Sequence, residues 1–182
     1  MLLELPCIIL VTGIMASGKS TIAQLLSERF EKSVHLRGDI FRRMIVNNRK
    51  EMQPDAGNEE LDQLRLRYRL TAQAADAYFQ AGFTVVVQDV VIGPMLDDFI
   101  SFIQSRPFYV VVLCPNSSTV TQREAARLKK GYGVWTVEGL DSLLRNETSR
   151  IGMWLDSSEL TPEETVIEIL TRFQDEALLW KI

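Results

Sequence analysis

Residues 7–20 read CIILVTGIMASGKS, and the sequence changes character sharply at Gly13. Residues 7–11 form an unbroken apolar run rich in β-branched side chains, which is typical of a strand buried on both faces of a parallel sheet. From Lys19 onward, apolar residues recur at helical spacing, which predicts a helix ending near Glu31. This part of the chain is therefore expected to form a buried strand, a tight loop and a helix in direct succession.

The loop itself fits the phosphate-binding pattern G-x-x-x-x-G-K-[S/T]. Its glycines allow the backbone to wrap a phosphate with N–H groups turned inward, and the helix adds the partial positive charge of its N-terminus. Lys19 is expected to reach the β- and γ-phosphates of ATP, the Ser20 hydroxyl to ligate Mg²⁺, and Thr21 to reach the α-phosphate. The predicted nucleotide-binding residues are Gly13, Ile14, Met15, Ala16, Ser17, Gly18, Lys19, Ser20 and Thr21.

Strand and helix patterns alternate along the rest of the chain. Further strands are predicted at residues 34–36, 83–87, 108–113 and 151–155. Helices are predicted to begin at Asp39, to cover 59–81, to follow Gly93-Pro94, to cover 117–130, and to begin at the capping box of Thr161 to Glu164. Such alternation implies right-handed βαβ units. We therefore expect one three-layer α/β domain over residues 1–182, with a mostly parallel five-stranded sheet flanked by helices and a helical lid around residues 117–146.

Two aspartates follow predicted strands at the edge of the sheet where ligands of α/β proteins gather. Asp39 comes directly after the second strand, and a carboxylate there is suited to accept the proton of an attacking hydroxyl during phosphoryl transfer. The same residue also suits the N-cap of a helix beginning at Ile40. Asp89 closes the third strand in a Walker B arrangement, where it is expected to hold Mg²⁺ through water or to orient the acceptor, or else to form a turn.

Two arginines are expected to bring positive charge to the transferred group. Arg123 and Arg127 are four residues apart, so they share one face of the predicted helix over 117–130. Guanidinium groups closing over a γ-phosphoryl group would stabilise the charge of the transition state, although a solvated basic face also fits this spacing. Arg65 and Arg69 have the same spacing in the preceding long helix, and both roles stay open for them.

The composition limits the possible partners. The net charge is −4 and the isoelectric point is near 5.1, so broad binding to nucleic acid or to anionic membranes is not expected. No apolar run reaches the length of about 20 residues that a membrane helix needs. Both cysteines, Cys7 and Cys114, lie in apolar runs and suit buried free thiols. We expect a cytoplasmic protein without a membrane segment.

These residues together resemble the small P-loop kinases, and within them the chloramphenicol phosphotransferase-like group. The similarity runs over nearly the whole chain and rests on the glycine loop, Asp39, residues 86–90 at the end of the third strand, and residues 123–127 after the fourth. It implies that Asp39 is the base that activates the substrate hydroxyl, that the arginines of 123–127 belong to a lid, and that residues 156–158 lie near the adenine. The antibiotic kinase has two consecutive acids at the end of the third strand, whereas Gln88 stands first here. The acceptor therefore does not follow from the resemblance.

The sequence predicts an ATP-dependent phosphotransferase that moves the γ-phosphoryl group to a hydroxyl of a small molecule, such as an antibiotic or a metabolite. Residues 37–42 also resemble a segment of a phage 5′-polynucleotide kinase, so a polynucleotide 5′-hydroxyl is the first alternative acceptor, and the net acidity disfavours it. The second alternative is an ATP-binding switch or resistance protein without an acceptor, which an aspartate at the position of the base disfavours. The acceptor, the preference for ATP over GTP and the oligomeric state do not follow from the sequence.

Overall fold

Strands and helices alternate in the computed structural model, which describes residues 6–128 and 131–180 without the side chain of Trp180. The strands are β1 (Ile8–Gly13), β2 (Ser33–Arg37), β3 (Thr84–Gln88), β4 (Phe108–Leu113), β5 (Met153–Leu155) and β6 (Leu178–Trp180). The helices are α1 (Lys19–Ser27), α2 (Asp39–Arg43), α3 (Asn58–Gln80), α4 (Met95–Phe102), α5 (Ser117–Ala126), α6 (Val137–Ser142) and α7 (Pro162–Glu176), and a π-helical turn (Leu143–Glu147) follows α6. In this described part of the chain, no helix combines the length and the apolar character needed to cross a bilayer.

β1 lies at the middle of the sheet. The strand order is β2-β3-β1-β4-β5, and all neighbours in this order are parallel. Ile8 pairs with Val85 on one side and with Phe108 on the other. β6 runs antiparallel to β4 and pairs with its first half, whereas β5 pairs with its second half. The predicted mostly parallel sheet between helices is confirmed, and β6 adds a sixth strand to the five that were predicted.

Strand alternation divides the core into two layers. In β1, Ile8 and Leu10 belong to the core that includes residues of α3 and α4, whereas Ile9 and Val11 belong to the core that includes residues of α1 and α7. All four side chains are fully buried, as expected of a central parallel strand. Because burying a side chain of this size contributes about 1.5–3 kcal/mol, β1 firmly anchors the loop that follows it.

α7 begins at the capping box that predicted it. Oγ1 of Thr161 accepts a hydrogen bond from the backbone N–H of Glu164 at 3.2 Å, and the Glu164 carboxylate accepts one from the Thr161 N–H at 2.8 Å. Pro162 occupies the first helical position. At the other end of the chain, α1 stops at Ser27, one turn before the predicted end near Glu31.

α5 also ends earlier than predicted, at Ala126, and Arg127 has an extended backbone. The Glu124 carboxylate accepts hydrogen bonds from the backbone N–H of Gly131 at 2.5 Å and from the Arg127 guanidinium at 3.1 Å. These bonds tie the following chain back to the end of the helix, so the helix does not continue. Residues 129–130, which belong to the predicted helix, lie outside the described residues.

Candidate active site

An open cavity of about 920 Å³ lies at the carboxyl ends of β1, β2 and β3. Its lining comes from the glycine loop after β1, the start of α2, one face of α3, and the chain from α5 to the π-helical turn. Ligands of open parallel sheets bind at this edge. The predicted site residues that line the cavity are Met15, Ala16, Gly18, Lys19, Ser20, Thr21, Asp39, Asp89, Arg123 and Arg127.

The glycine loop has the backbone conformation of a phosphate-binding turn. The φ angles of Gly13 and Gly18 are 144° and 98°, in the region that favours glycine, and Ala16 has a φ of 62°. A Cβ on Gly13 would overlap the Leu113 carbonyl and would lie 2.9 Å from Oγ of Ser17. The loop is therefore a tight backbone cradle at the N-terminus of α1, as anion binding requires.

Lys19 is buried beneath this cradle, with 6% of its surface exposed. Its Nζ donates a hydrogen bond to the Ile14 carbonyl at 2.6 Å. Burial, together with the positive charges of Arg127 and Arg67, lowers the pKa of Lys19 to about 7. Negative charge close to Lys19 would stabilise its ammonium form in these surroundings, so the site fits a phosphate group.

The start of α1 also fits a nucleotide-bound Mg²⁺. Ser20 and Thr21 line the cavity in the first turn of the helix, and the Oγ of Ser17 is buried without a hydrogen-bond partner among the described residues. Within the same residues, no group of three or more His, Cys, Asp or Glu side chains could hold a metal ion. Mg²⁺ keeps most of its waters and needs few protein ligands when phosphates supply others. The residues therefore suit a metal ion that arrives with its nucleotide, not an independent metal centre.

Asp39 is the first residue of α2, and Gly38 occupies the N-cap position. α2 therefore begins at Asp39, as predicted, and the alternative in which Asp39 caps a helix beginning at Ile40 does not hold. Oδ2 of Asp39 instead lies 2.6 Å from a guanidinium nitrogen of Arg43, one turn further along α2. A third of the Asp39 side chain is exposed, and it lines the same cavity as Lys19. The carboxylate is therefore accessible to a ligand bound in the cavity.

Asp89 is almost fully buried at the end of β3, where its carboxylate binds the guanidinium of Arg67 from α3. Nε of Arg67 donates to Oδ2 at 2.8 Å and Nη2 donates to Oδ1, so the pair is bidentate. Oδ1 also accepts a hydrogen bond from the Val90 backbone N–H at 2.7 Å. In this geometry Asp89 holds Arg67 in place, and its predicted contact with Mg²⁺ stays a prediction.

Arg67 is a site residue that the sequence analysis missed. In the long helix, Arg65 and Arg69 were considered as site residues from the sequence. Arg65 instead pairs with Asp98 of α4, and Arg69 is exposed. Arg67 lines the cavity together with the α3 residues Glu60, Gln63 and Leu64. Their spacing of three to four residues marks one face of a helix, and this pattern could have identified Arg67.

Arg123 connects the glycine loop with the chain that follows β5. Its Nη1 donates to the Ser17 carbonyl at 3.3 Å and its Nη2 donates to the Ser157 carbonyl at 3.0 Å. Arg127 also lines the cavity, but it lies beyond the end of α5. The prediction that both arginines share one helix face is therefore wrong, although both reach the cavity.

A smaller cavity of about 210 Å³ shares Gly18, Thr21 and Arg123 with the lining of the first. It is lined by Ser17, Gly18, Thr21, Ile22, Arg123, Ser157, Leu160, Pro162 and Thr165. The Oγ of Ser157 is buried and has no hydrogen-bond partner within the described residues. Of residues 156–158, which the resemblance places near the adenine, Ser157 lines this space beside the glycine loop.

Comparisons with known proteins agree with this architecture. Residues 8–139 match a family model described as an AAA domain. A sugar kinase from Janibacter sp. HTCC2649 has a TM-score of 0.67 at 19% identity, over 95% of this chain and 96% of that one. The tunicamycin resistance protein of Deinococcus radiodurans has a TM-score of 0.64 at 16% identity, over 96% and 98%. The APS kinase of Mycobacterium tuberculosis, in complex with AMPPNP and APS, has a TM-score of 0.62 at 18% identity, over 91% and 96%. No curated protein matches the chain in sequence. These likenesses show the α/β fold of P-loop kinases.

Proposed function

We propose that the chain is a kinase that transfers the γ-phosphoryl group of ATP to a hydroxyl of a small molecule. The premise is that the chain belongs to the AAA domain family, whose model matches residues 8–139. One observation carries this proposal: Lys19 and Asp39 line the same cavity. A phosphate cradle alone suits any NTPase, whereas a carboxylate facing the same space supplies the proton acceptor that an alcohol needs. The small-molecule kinases among the similar structures support this choice.

In the proposed transfer, the acceptor oxygen forms a bond to the γ-phosphorus while the bond from that phosphorus to the bridging oxygen breaks, and ADP leaves. The hydroxyl proton passes to a carboxylate oxygen of Asp39. Lys19 neutralises oxygens of the β- and γ-phosphates from beneath the loop. When Mg²⁺ is bound with the nucleotide, it supplies further charge neutralisation at these oxygens, with the Ser20 hydroxyl as its protein ligand.

The two arginines after β4 are assigned to the transferred group and to the nucleotide. Arg123 bridges the glycine loop and Ser157 and lines both the main cavity and the smaller one, which we assign to the adenine. Arg127 exchanges its contact with Glu124 for an oxygen of the γ-phosphoryl group. After this exchange the Glu124 carboxylate, whose side chain is 13% exposed, keeps its hydrogen bond from the Gly131 backbone N–H, and the γ-phosphoryl oxygen replaces Glu124 as the anionic partner of Arg127.

We assign Asp89 to the acceptor side of the site. Both of its carboxylate oxygens are engaged by Arg67 and Val90, so its role in this arrangement is to position the Arg67 guanidinium. A contact with Mg²⁺ through water is the alternative role, and a metal titration separates the two.

Residues 117–146 are proposed to act as a lid over the cavity. The Tyr132 hydroxyl donates a hydrogen bond to the Met15 carbonyl of the glycine loop at 2.8 Å. Nε1 of Trp135 donates to the Met52 carbonyl, between α2 and α3, at 3.2 Å. The proposed lid thus contacts both the nucleotide side and the acceptor side of the cavity, which would exclude water during transfer.

We place the kinase in the cytoplasm. Cys7 and Cys114 are both free and buried, and burial raises the pKa of both thiols. Thiols of this kind persist in a reducing compartment, and the same compartment supplies ATP.

A transfer assay with γ-labelled ATP tests the proposed function. Purified protein is incubated with ATP, Mg²⁺ and a panel of alcohols, and labelled products are separated from released phosphate. We expect label on at least one alcohol, no label with Lys19→Ala, and full activity with Lys32→Ala. Lys32 is the matched control because its Nζ binds the Ala81 carbonyl on an exposed surface. If no alcohol became labelled and the rate of ATP hydrolysis were the same with each alcohol as without any, the chain would be an NTPase switch and not a kinase.

A further inference from the structure

The main cavity is positive in a chain that is negative overall. Eight of its lining residues are Lys or Arg and four are Asp or Glu, a surplus of four positive charges, whereas the net charge of the whole chain is −4. Two of the eight cations, Lys50 and Arg127, pair with Glu59 and Glu124 outside the lining, so the uncompensated surplus is about two charges, which the Mg²⁺ complex of ATP can match near neutral pH. Whether a second anion can bind therefore depends on where a cation without a carboxylate partner lies in the cavity.

Five of these cations line the cavity from the end of β2, α2, the chain between α2 and α3, and α3 itself. We call them the cationic wall: Arg37, Arg42, Arg43, Lys50 and Arg67. Three of them pair with carboxylates that line the same cavity, in the pairs Arg42–Glu51, Arg43–Asp39 and Arg67–Asp89. Lys50 pairs with Glu59, which does not line the cavity. Within the described residues, four of the five cations of the cationic wall therefore have a carboxylate partner, and Arg37 is the fifth.

Arg37 forms no ion pair with any residue in the ranges 6–128 and 131–180. It is the last residue of β2, and its register neighbour at the end of β3 is Gln88. The amide of Gln88 lines the same cavity but is neutral, so it cannot balance a guanidinium. An aspartate or glutamate at position 88 would have done so. The pairing of Arg37 with Gln88 thus leaves one guanidinium of the cationic wall available to a ligand.

Another part of the cavity lining is apolar. Ile92 and Met95 come from the chain after β3, and Trp135, Leu140 and Leu143 come from the proposed lid. Apolar side chains bury the carbon skeleton of a ligand and do not select its charge. A ligand that uses both kinds of lining has a carbon body and a separate anionic group.

We infer that the phosphoryl acceptor is an alcohol that also carries an anionic group, a phosphate, sulfate or carboxylate, which the cationic wall binds through Arg37 and Arg67 while the hydroxyl faces Asp39. This inference rests on the proposed kinase function and names its class of acceptor. Arg67 contributes from a buried position, since 13% of its side chain is exposed and Asp89 fixes its orientation. Arg37 contributes the charge that no carboxylate of the described residues neutralises.

Anion binding to the nucleotide-loaded protein tests this inference directly. The protein is saturated with Mg²⁺ and AMPPNP, so that the glycine loop is filled, and inorganic phosphate, sulfate or acetate is titrated in at constant ionic strength set with chloride. Binding is followed by calorimetry and by the shift in Tm. We expect at least one of the three anions to bind. The anion with the highest affinity indicates which anionic group the acceptor carries.

Three variants locate the anion site. Arg37→Gln is expected to weaken anion binding by about tenfold or more, as expected for loss of a charge-assisted hydrogen bond. Arg65→Gln is the matched control, because Arg65 pairs with Asp98 and does not line the cavity, and it should bind anions like the wild type. The double variant Arg67→Gln/Asp89→Asn keeps the buried pair neutral, so it should fold and should also weaken binding. Its fold is checked by its circular dichroism before titration.

Transfer to matched alcohols completes the test. The pairs are glycerol 3-phosphate with glycerol, and phenyllactate with its methyl ester, alongside a 5′-hydroxyl oligonucleotide. We expect transfer to favour the anionic member of a pair in the wild type and this preference to fall at least about tenfold in Arg37→Gln. Three results would overturn the inference while leaving nucleotide binding intact. The loaded protein could bind AMPPNP normally and bind none of the anions, or Arg37→Gln and Arg65→Gln could bind anions with equal affinity. Transfer could also favour the oligonucleotide. Loss of AMPPNP binding itself would overturn the proposed function.

Discussion

Gly38 and Asp89 are packed so closely that no side chain fits at position 38. A Cβ on Gly38 would lie 2.8 Å from Cγ of Asp89, closer still to one carboxylate oxygen, and 3.1 Å from the Thr71 hydroxyl. The φ of Gly38 is −63°, an ordinary value for any residue, so space and not backbone strain requires glycine here. This contact sets the position of Asp39, the next residue, relative to the Asp89–Arg67 pair.

Gly38→Ala is therefore expected to destabilise the protein and to impair transfer together. The added methyl group must displace Asp89, which is 2% exposed and held by Arg67, so we expect the free energy of unfolding to fall by about 1–3 kcal/mol. Denaturant unfolding and turnover measure the two effects. In the control Gly57→Ala, the new Cβ would meet the flexible Glu60 carboxylate at 3.3 Å, and because Gly57 is the N-cap of α3, the loss should stay near the difference between glycine and alanine at an N-cap, about 0.5–1 kcal/mol. Equal losses in both variants would mean that Asp89 moves aside freely.

The Arg67–Asp89 pair is expected to show strong energetic coupling. Arg67→Met leaves a buried carboxylate without its partner, which costs about 3–5 kcal/mol of unfolding free energy. The double variant Arg67→Met/Asp89→Leu should recover most of this loss, because it removes both buried charges. Urea unfolding of the single and double variants gives the coupling energy. Additive losses would contradict the bidentate pair that the structure contains.

The metal requirement is expected to depend on Ser20 and not on Asp89. Mg²⁺ takes few protein ligands beside the phosphates, and the oxygens of Asp89 are engaged by Arg67 and Val90. In Ser20→Ala, the Mg²⁺ concentration for half-maximal turnover should rise by about tenfold or more, in line with the loss of a hydroxyl ligand. In Asp89→Asn, the same concentration should stay within about twofold of the wild type. The reverse result would return Asp89 to the Walker B role predicted from sequence.

The sequence predicts the glycine loop well because its parts are contiguous. Gly13, Gly18 and Lys19 lie within seven residues, and a buried strand and a helix flank them, so one local pattern specifies both the loop and its chemistry. The alternation of strands and helices is equally local, and the parallel sheet follows from it. β6 escapes prediction because a strand of three residues directly after a helix has no periodicity to recognise.

The part of the cavity lined by α3 and by the end of α5 is predicted poorly because it depends on contacts between distant residues. Arg67 reaches Asp89 across 22 positions of sequence, and the rotation of α3 on the sheet selects it in place of Arg65. Arg127 lies outside α5 because the Glu124 carboxylate accepts hydrogen bonds from the Arg127 guanidinium and from the Gly131 backbone N–H, which draw the following chain back to the end of the helix. Neither effect has a local sequence pattern, since each depends on where packing directs a charged side chain.

Nucleotide binding is expected to take up a proton at Lys19 above neutral pH. The pKa of Lys19 is lowered from its ordinary value of 10.5 to about 7 by burial and by nearby arginines, so above pH 7 the free protein holds mostly the neutral amine. Phosphates favour the ammonium form, so binding draws in a proton and the apparent affinity falls as the pH rises above 7. Below pH 7 the ammonium is already present, and this dependence disappears.

Calorimetry of ADP binding near pH 8, in buffers of different ionisation enthalpy, measures this uptake. We expect about one proton per ADP for the wild type and for Lys32→Met, and about none for Lys19→Met. Proton release, or uptake that survives in Lys19→Met, would assign the pH dependence to another group.

Asp39→Asn is expected to remove transfer without removing nucleotide binding. Asp39 lines the cavity with Lys19, yet α2 is capped by Gly38 and not by Asp39, so the carboxylate has no capping role to lose. The amide keeps the size of the side chain but cannot take the hydroxyl proton. A positioned base contributes about 10²–10⁴-fold to the rate, so turnover should fall by that factor. The affinity for AMPPNP should barely change, because the glycine loop and Lys19 hold the phosphates.

The ion pair with Arg43 provides the control for this prediction. Oδ2 of Asp39 lies 2.6 Å from the Arg43 guanidinium, and 59% of the Arg43 side chain is exposed, so the pair contributes about 0–1 kcal/mol. If Asp39 mattered through this pair alone, Arg43→Gln would reduce turnover as much as Asp39→Asn does. If Asp39 is the base, Arg43→Gln retains most of the turnover while Asp39→Asn loses it, with AMPPNP affinity from calorimetry unchanged in both. Undiminished turnover of Asp39→Asn would make Asp39 a surface partner of Arg43, and the proton acceptor would then be sought at Asp89.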